Sequence, residues 1–315
     1  MELEKINIRV SPNTVGKLLK EMGFSLKANQ KKLSTSSVSS TERDEQFAYI
    51  TRLRKDFADK GAMVVSVDTK KRELVGSFKN NGQAWSREPI YVKDHDFRSQ
   101  SKGVAIPYGI YDLSANRGSV FIGTSYDTPC FATDCLVQWY LQEGQKRYPE
   151  ANELLVLADC GGSNGPRSRI WKHRLQSKLC NLLGLTVTVC HYPPGTSKWN
   201  PIEHLLFSQI SRNWAGRPLD SYETILNYIR TTTTKTGLTV EAYLSETVYE
   251  KGVKITDEQM NDLAPTRHAV QPKQNYTLRP QLQPVQDADG EISCQRTSVS
   301  GNESLQVADQ EVIFA

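Results

Sequence analysis

The sequence predicts an α/β fold in which helices flank a mixed five-stranded sheet, with a short helical segment at the N-terminus. Short apolar runs of strand length recur along the chain, and the runs at 154–159 and 185–192 are separated by a helical pattern. Strands alternating with helices favour a sheet with parallel pairs that is covered on both faces. The chain has 315 residues, 38% of them hydrophobic, which is enough for a sizeable core.

Residues 1–33 predict a partial helix-turn-helix. Ser11 suits a helix N-cap, Pro12 the first helical position and Gly23 the end of the helix. One face of this helix carries apolar residues at helical spacing, namely Val15, Leu18, Leu19 and Met22. Residues 34–41 are rich in Ser and Thr and predict a linker.

A single α/β domain is predicted over 42–263. It begins with a helix from about Glu42 to Asp59, for which Thr41 is the expected cap. The expected strands are 63–68, 104–113, 119–127, 154–159 and 185–192, and the later helices are 131–148, 168–184 and 200–214. Three strands, then helix, strand, helix, strand and helix, is the element order of an RNase H-like (integrase-type) fold. Residues 264–315 are poor in apolar side chains and predict a flexible polar tail.

Three acidic residues stand at chemically informative places. Asp68 ends the first strand, Asp159 ends the fourth, and Glu203 lies in the first turn of the helix after the fifth. Sites in α/β sheets form at the carboxyl ends of strands, so these carboxylates are expected to meet there. Close carboxylates repel one another unless cations lie between them, and oxygen ligands suit Mg²⁺ or Mn²⁺. Two such ions are the arrangement used for in-line phosphoryl transfer.

Each acid also has a structural interpretation. An Asp at a strand end is often a turn residue, and Asn200 with Glu203 fits a capping box. The segment 160–165, CGGSNG, after Asp159 permits close approach of a phosphate backbone and leads to Arg167 and Arg169 near a helix start, although a plain glycine-rich loop by itself explains the segment better.

Composition limits the remaining classes. The net charge of +4 permits nucleic-acid binding without arguing for it, and six cysteines without a Cys-x-x-Cys pair indicate thiols rather than a zinc site. No stretch approaches the ~20 apolar residues of a membrane helix, and the N-terminus lacks the apolar region of a signal peptide. The expected location is cytoplasmic, in a bacterium nucleoid-associated, without membrane attachment.

Five ordered motifs carry a resemblance to a known family. They are SVDTKKRELVGSFKNNG (66–82), AIPYGIYDL (105–113), LADCGGSNG (157–165), CHYPPGTSKWNPIEH (190–204) and TTTTKTGLTV (231–240). They resemble the DDE transposases of bacterial insertion sequences, specifically the ISAzo-thirteen family. The resemblance covers roughly Val10 to Asp262, and the acids stand 91 and 44 residues apart, the second interval being near the short one typical of the wider mariner-like superfamily.

This resemblance implies an RNase H-like catalytic domain with Asp68, Asp159 and Glu203 as a catalytic triad for two Mg²⁺ (or Mn²⁺) ions. It implies strand cleavage and strand transfer on the ends of an element and on its target DNA, by a homo-oligomer. The expected DNA contacts are spread over both predicted regions: Asn13, Lys17, Lys20, Lys70, Arg167, Arg169, Lys198 and Trp199. In these, lysines and arginines suit phosphates, and Trp199 suits base stacking.

Several alternatives stay open. Lys198 and Trp199 fit a solvated charge and a packing residue, and the helix over 12–22 fits a solvated amphipathic helix. Family members usually carry a complete helix-turn-helix, so a truncated copy is expected. An inactive DNA-binding remnant that acts as a regulator, or a nuclease that cuts without joining, would share these features. A structural zinc domain is the weakest alternative, because Asp and Glu at an open strand edge make poor structural zinc sites.

Overall fold

The structure, a computed structural model, describes residues 10–27 and 39–281, together with the backbone of 283–286 and 292–295. The chain divides into two compact units, Met1–Ser37 and Val38–Ala315. Residues 34–38 of the predicted linker and most of the predicted tail beyond 281 lie outside the described residues, as do 1–9 and 28–33 of the predicted helix-turn-helix.

The first unit contains helix α1 (Pro12–Glu21). It begins as the sequence predicts, because the Ser11 side chain accepts a hydrogen bond from the Thr14 backbone N–H at 3.1 Å. None of its residues is buried, and its apolar face stays open, with Leu18 50% and Leu19 43% exposed.

The second unit contains seven α-helices and eleven strands among its described residues. The helices are α2 (Ser40–Asp59), α3 (Pro129–Trp139), α4 (Gln145–Arg147), α5 (Arg169–Arg174), α6 (Ser208–Asn213), α7 (Tyr222–Arg230) and α8 (Asp257–Asn261). The strands are β1 (Met63–Thr69), β2 (Glu73–Val75), β3 (Gly103–Asp112), β4 (Arg117–Gly123), β5 (Glu153–Ala158), β6 (Thr186–His191), β7 (Thr239–Ser245), β8 (Thr266–Arg267), β9 (Asn275–Leu278), β10 (Gln283–Gln286) and β11 (Ile292–Gln295). Three π-helical stretches adjoin α3, α5 and α6: Tyr140–Gly144, Leu175–Leu182 and Glu203–Phe207.

The main sheet has the strand order β7-β4-β3-β1-β5-β6-β9-β8, and β2 pairs with β3. Strand β1 is parallel to β5 and antiparallel to β3, β4 is antiparallel to β3, and β6 is parallel to β5. The five predicted strands therefore form the centre of the sheet in the order third, second, first, fourth, fifth. This is the RNase H-like arrangement, so the predicted fold class is confirmed, with β7 added at one edge and β8 and β9 at the other.

The C-terminal part of the sheet differs from the sequence prediction. Residues 264–281 were expected to belong to a flexible tail, but β9 pairs antiparallel with β6 and its four residues are buried. The polar side chain of Asn275 is satisfied there, because it exchanges hydrogen bonds of 2.8 and 2.7 Å with the buried Gln46 of α2. A polar composition thus conceals a core strand when its amides have buried partners.

Helices cover both faces of the sheet. On one face α3 and α5 pack in the largest cluster of buried core residues, which includes Phe131, Trp139, Trp171 and Leu179. On the other face α2 covers β1 and β5, while α6, α7 and the π-helical turn before α6 cover β3 and β4. Among the described helices, none has the length and apolar composition that crossing a lipid bilayer requires.

Helix α2 begins earlier than predicted. Its cap is Ser39 rather than Thr41, because Ser39 and Glu42 form a reciprocal capping box: the Ser39 hydroxyl accepts from the Glu42 N–H at 3.2 Å, and the Glu42 carboxylate accepts from the Ser39 N–H at 2.9 Å. The last residues of the predicted linker, 39–41, therefore form the start of a helix in the second unit.

Candidate active site

Asp68 and Asp159 lie side by side because of the β1–β5 register. The last parallel pair of these strands is Ser66 with Leu157, and each Asp lies two residues beyond it. Since side chains alternate along a strand, Asp68 shares a sheet face with Ser66, and Asp159 shares one with Leu157. Two carboxylates of neighbouring strands are thereby directed to one place at the carboxyl edge of the sheet.

Glu203 is held against this pair by a buried clamp between β1 and the following helix. The Ser66 hydroxyl donates to Asn200 Oδ1 at 2.5 Å, Asn200 Nδ2 donates to the Val67 carbonyl at 3.1 Å, and Ser66 Oγ accepts from the Ile202 N–H at 3.0 Å. The predicted capping box of Asn200 and Glu203 is therefore wrong. The Asn200 side chain faces the strand, and a serine of the strand caps the helix instead.

Gly109 makes this close approach possible. It pairs with Asp68 across β1 and β3, and a Cβ at this position would lie 2.5 Å from the Phe207 ring and 2.8 Å from Ile202. Any larger residue would push the π-helical turn that starts at Glu203 away from the sheet. The glycine thus sets the distance between the helix and the strand that carries the first carboxylate.

Electrostatics show that the three carboxylates interact. Burial, followed by the charge of Asp159, raises the pKa of Asp68 to about 8, against the opposing hydrogen bond from the Thr69 N–H to Asp68 Oδ1 at 2.7 Å. Glu203 contributes to this shift as well, and burial raises the pKa of Glu203 itself, partly offset by Asp68 and Lys70. Negative charge is therefore concentrated here and disfavoured without a counter-charge.

The donor set suits hard divalent cations. All three groups offer carboxylate oxygens, which Mg²⁺ and Mn²⁺ prefer. Within the part of the chain that the structure describes, no three Asp, Glu, His or Cys side chains converge tightly enough to hold one common ion.

The loop after Asp159 is fixed in place. Asp159 Oδ1 accepts from the Gly161 N–H at 3.0 Å, and Gly162 adopts a positive φ of 60°. Beyond them, Asn164 is buried: its Oδ1 accepts from the Tyr108 hydroxyl at 3.0 Å, and its carbonyl lies 2.8 Å from His191 Nε2. The loop is a structured element.

The chain matches a known protein family over most of its length. A family model described as the Rhodopirellula transposase DDE domain matches residues 1–280. This chain belongs to that family. The match confirms the family resemblance and extends beyond both ends of the range over which the motifs suggested it, and it includes β8 and β9.

Solved structures give lower similarity. The Mos1 transposase paired-end complex with left transposon end has 16% identity and a TM-score of 0.41, with 72% of this chain and 63% of that chain covered. The Mos1 mariner paired end complex with Mn has 16% identity and a TM-score of 0.42, with 73% and 64% covered. The chain thus spans a little under two thirds of those relatives' length. The simian T-cell lymphotropic virus intasome in complex with PP2A regulatory subunit B56 gamma has 11% identity and a TM-score of 0.29, with 73% of each chain covered. No curated protein sequence matches the chain.

Two of the predicted DNA contacts of this DDE domain are engaged within the protein. Lys70 forms an ion pair with Glu73 at 3.1 Å and lies over the Trp214 ring at 4.6 Å, so its charge is directed inward near Glu203. Arg169 donates to Asp257 at 2.5 Å. The charge of Lys70 acts on Glu203 within the fold, and the contacts of Lys70 and Arg169 with DNA stay predictions.

The other predicted contacts are exposed. Arg167 precedes α5 rather than opening it, and it lines a groove next to Asp159. Trp199 is 59% exposed; Lys198 Nζ lies 5.8 Å from the centre of its ring, and Phe47 packs edge-on at 6.0 Å. Asn13, Lys17 and Lys20 are exposed on α1.

Sequence reasoning missed the residues that position the acids. Ser66, Asn164, Asn200 and His191 are all buried and hydrogen-bonded around the carboxylates. Each of them falls inside a motif that carried the family resemblance, and this is the only signal in the sequence that singles them out. In the hydrogen bonds described above, their partners lie 27 to 136 residues away along the chain, which no local pattern records.

Proposed function

We propose that this chain is a DNA transposase that cleaves and joins DNA strands with Asp68, Asp159 and Glu203 as its catalytic triad. The observation that carries the proposal is the meeting of three carboxylates at the carboxyl edge of the central strands, in a member of a transposase DDE family. The substrate would be the ends of an insertion sequence and its target, in the bacterial nucleoid.

The triad would hold two Mg²⁺ or Mn²⁺ ions. Asp68 interacts with both Asp159 and Glu203, which suits it as the ligand common to both ions. Glu203 is held by the Ser66–Asn200 clamp and completes the second position. When bound, a pair of divalent ions activates the attacking hydroxyl and stabilises the leaving oxygen of a phosphodiester. The three carboxylates would hold the ions in place for that attack.

Other residues would hold the DNA. Trp199 offers an exposed ring for base stacking, and Arg167 and Lys198 offer charges for phosphates. On α1, Asn13, Lys17 and Lys20 are exposed and would contact DNA as part of a helix-turn-helix. Because an element has two ends, a homo-oligomer on the DNA is expected.

A strand-cleavage and strand-joining assay tests the function. Labelled duplex DNA from the flanks of the gene is incubated with wild type, with Asp159→Asn and with the control Asp59→Asn, which alters an exposed acid at the end of α2. We expect Mg²⁺- or Mn²⁺-dependent cleaved and joined products from wild type and control, and none from Asp159→Asn.

Other outcomes assign other functions. Full activity of Asp159→Asn would refute the triad. Cleaved but never joined products would make the protein a nuclease, and DNA binding without any product would make it a binding remnant.

A further inference from the structure

A groove of about 990 Å³ adjoins the candidate active site. One wall is the loop that follows Asp159, from Cys160 to Ser168, and the other is the segment from Met260 to Tyr276 that contains β8 and the start of β9. The groove therefore begins directly beside a carboxylate of the triad. Sequence analysis assigned its second wall to a flexible tail.

The groove concentrates positive charge. Four cationic side chains line it, and its lining contains no Asp or Glu: Arg167, Lys172, Arg267 and Lys273. Among the described residues, none of the four forms an ion pair. Burial and the charge of Arg267 lower the pKa of Lys172, which lies 5.3 Å over the Tyr276 ring. An anion from outside the chain would relieve this repulsion.

The backbone that carries the two cations of the C-terminal wall, Arg267 and Lys273, is held by pairing and hydrogen bonds. Arg267 pairs with Tyr276 in the β8–β9 register, and Tyr276 is only 2% exposed. The connecting turn is closed by Gln271, whose φ is 44° and whose carbonyl accepts from the Gln274 and Asn275 N–H groups at 2.8 and 3.0 Å. The Gln274 carbonyl in turn lies 2.7 Å from the buried His191 Nδ1. Strand pairing and hydrogen bonds therefore fix the backbone of this wall.

We propose that this groove, lined by Arg167, Lys172, Arg267 and Lys273, binds the phosphodiester backbone of the DNA strand that leads to the triad. The proposal rests on the proposed function for the identity of the nucleic acid. The groove lining holds one aromatic residue, Tyr276, and it is buried, so base stacking is not available. Contacts to phosphates alone carry no sequence information, and binding in the groove is therefore independent of sequence.

The test measures duplex DNA affinity against salt concentration in EDTA, for flank DNA and for an unrelated duplex. The variant Arg267→Gln/Lys273→Gln removes two exposed cations of the groove. The control Lys146→Gln/Lys235→Gln removes two exposed cations in α4 and in the turn before β7. Each lost phosphate contact lowers the slope of log K against log salt by about 0.9, so a decrease of about 1.8 is expected. With an unchanged value at 1 M salt, affinity at 0.1 M falls about 60-fold.

The loss should be equal for both duplexes, and the control should keep the wild-type slope. An unchanged slope in the groove variant, or an equal change in the control, would overturn the proposal. Competition by polyglutamate as effective as that by DNA would also overturn it, because the site would then bind any acidic chain. Melting temperatures equal to wild type verify that the variants fold.

The result is separable from the proposed function. If wild type cleaves DNA and Asp159→Asn does not, while the groove variant binds as wild type does, the catalytic proposal stands and the groove assignment fails. If the slope falls as expected but wild type yields no product with either metal, the groove assignment stands and the catalytic proposal fails.

Discussion

The two sides of Asp159 concentrate opposite charges. On one side, Asp68 and Glu203 add carboxylates in a buried place. On the other, the groove gathers four cations without an acid, of which three are exposed and only Lys172 is half-buried. Both regions hold like charges that need an outside partner, but burial makes the repulsion far stronger among the acids. Changes to the acidic side should therefore have the larger effects.

The largest effect is expected from Asp68→Asn. Loss of the central carboxylate should lower cleavage by on the order of 10³- to 10⁴-fold while DNA binding in EDTA stays within twofold. Single-turnover cleavage and a binding isotherm measure the two quantities. Cleavage by Asp68→Asn within tenfold of wild type would contradict a catalytic role for Asp68.

The pH dependence of stability gives the next effect. The folded-state pKa of Asp68, about 8, exceeds its ordinary value of 3.8, so its protonated form stabilises the metal-free fold at low pH. That contribution is lost as pH rises from about 4 to about 8. The melting temperature in EDTA should therefore fall more steeply with pH in wild type than in Asp68→Asn, and Mg²⁺ should reduce the fall. Asp59→Asn should keep the wild-type slope, and identical slopes in wild type and Asp68→Asn would contradict the assignment.

Asn200→Ala tests how the acids are positioned. It leaves the Ser66 hydroxyl without its acceptor and the Val67 carbonyl without its donor, which should cost about 1–3 kcal/mol of unfolding free energy. A shift of Glu203 by about 1 Å should lower cleavage about 10²-fold without changing DNA affinity.

Chemical denaturation and single-turnover cleavage measure these two effects. Asn227→Ala, which removes an exposed asparagine of α7 whose side chain forms no hydrogen bond within the described residues, is the control and should alter cleavage by less than threefold. Equal losses in both variants would show that Asn200 contributes to stability alone.

The smallest effect concerns the cationic side. Lys172→Met keeps an extended side chain over the Tyr276 ring and removes a half-buried charge next to Arg267. The DNA-free protein should melt about 1–3 °C higher, because less than about 1 kcal/mol of repulsion is removed. Calorimetry without DNA measures the shift. A lower melting temperature would show that Lys172 stabilises the fold and that the groove holds no uncompensated repulsion.

The two sides also differ in how far the sequence predicts them. Each acid ends an apolar strand or begins a helix, so the periodicity of β1, β5 and the helix after β6 locates the acids. The same periodicity predicts the five central strands. Two of the groove cations, Arg267 and Lys273, depend on β8 and β9, whose few residues become strands only by pairing with each other and with β6. A two-residue and a four-residue strand leave no periodicity to detect. The clamp of Ser66 and Asn200 was missed for a related reason, since its partners are distant in sequence.

The clamp has a mechanical consequence. Three buried hydrogen bonds join the strand of Asp68 to the helix start of Glu203, so these two carboxylates form one rigid body. Asp159 follows a different strand, β5, and accepts a hydrogen bond from Gly161 of its own loop. Asp159 is therefore positioned separately from the other two acids, through the loop behind it. That loop is also a wall of the groove, so a DNA strand lying in the groove would contact the same segment that positions Asp159.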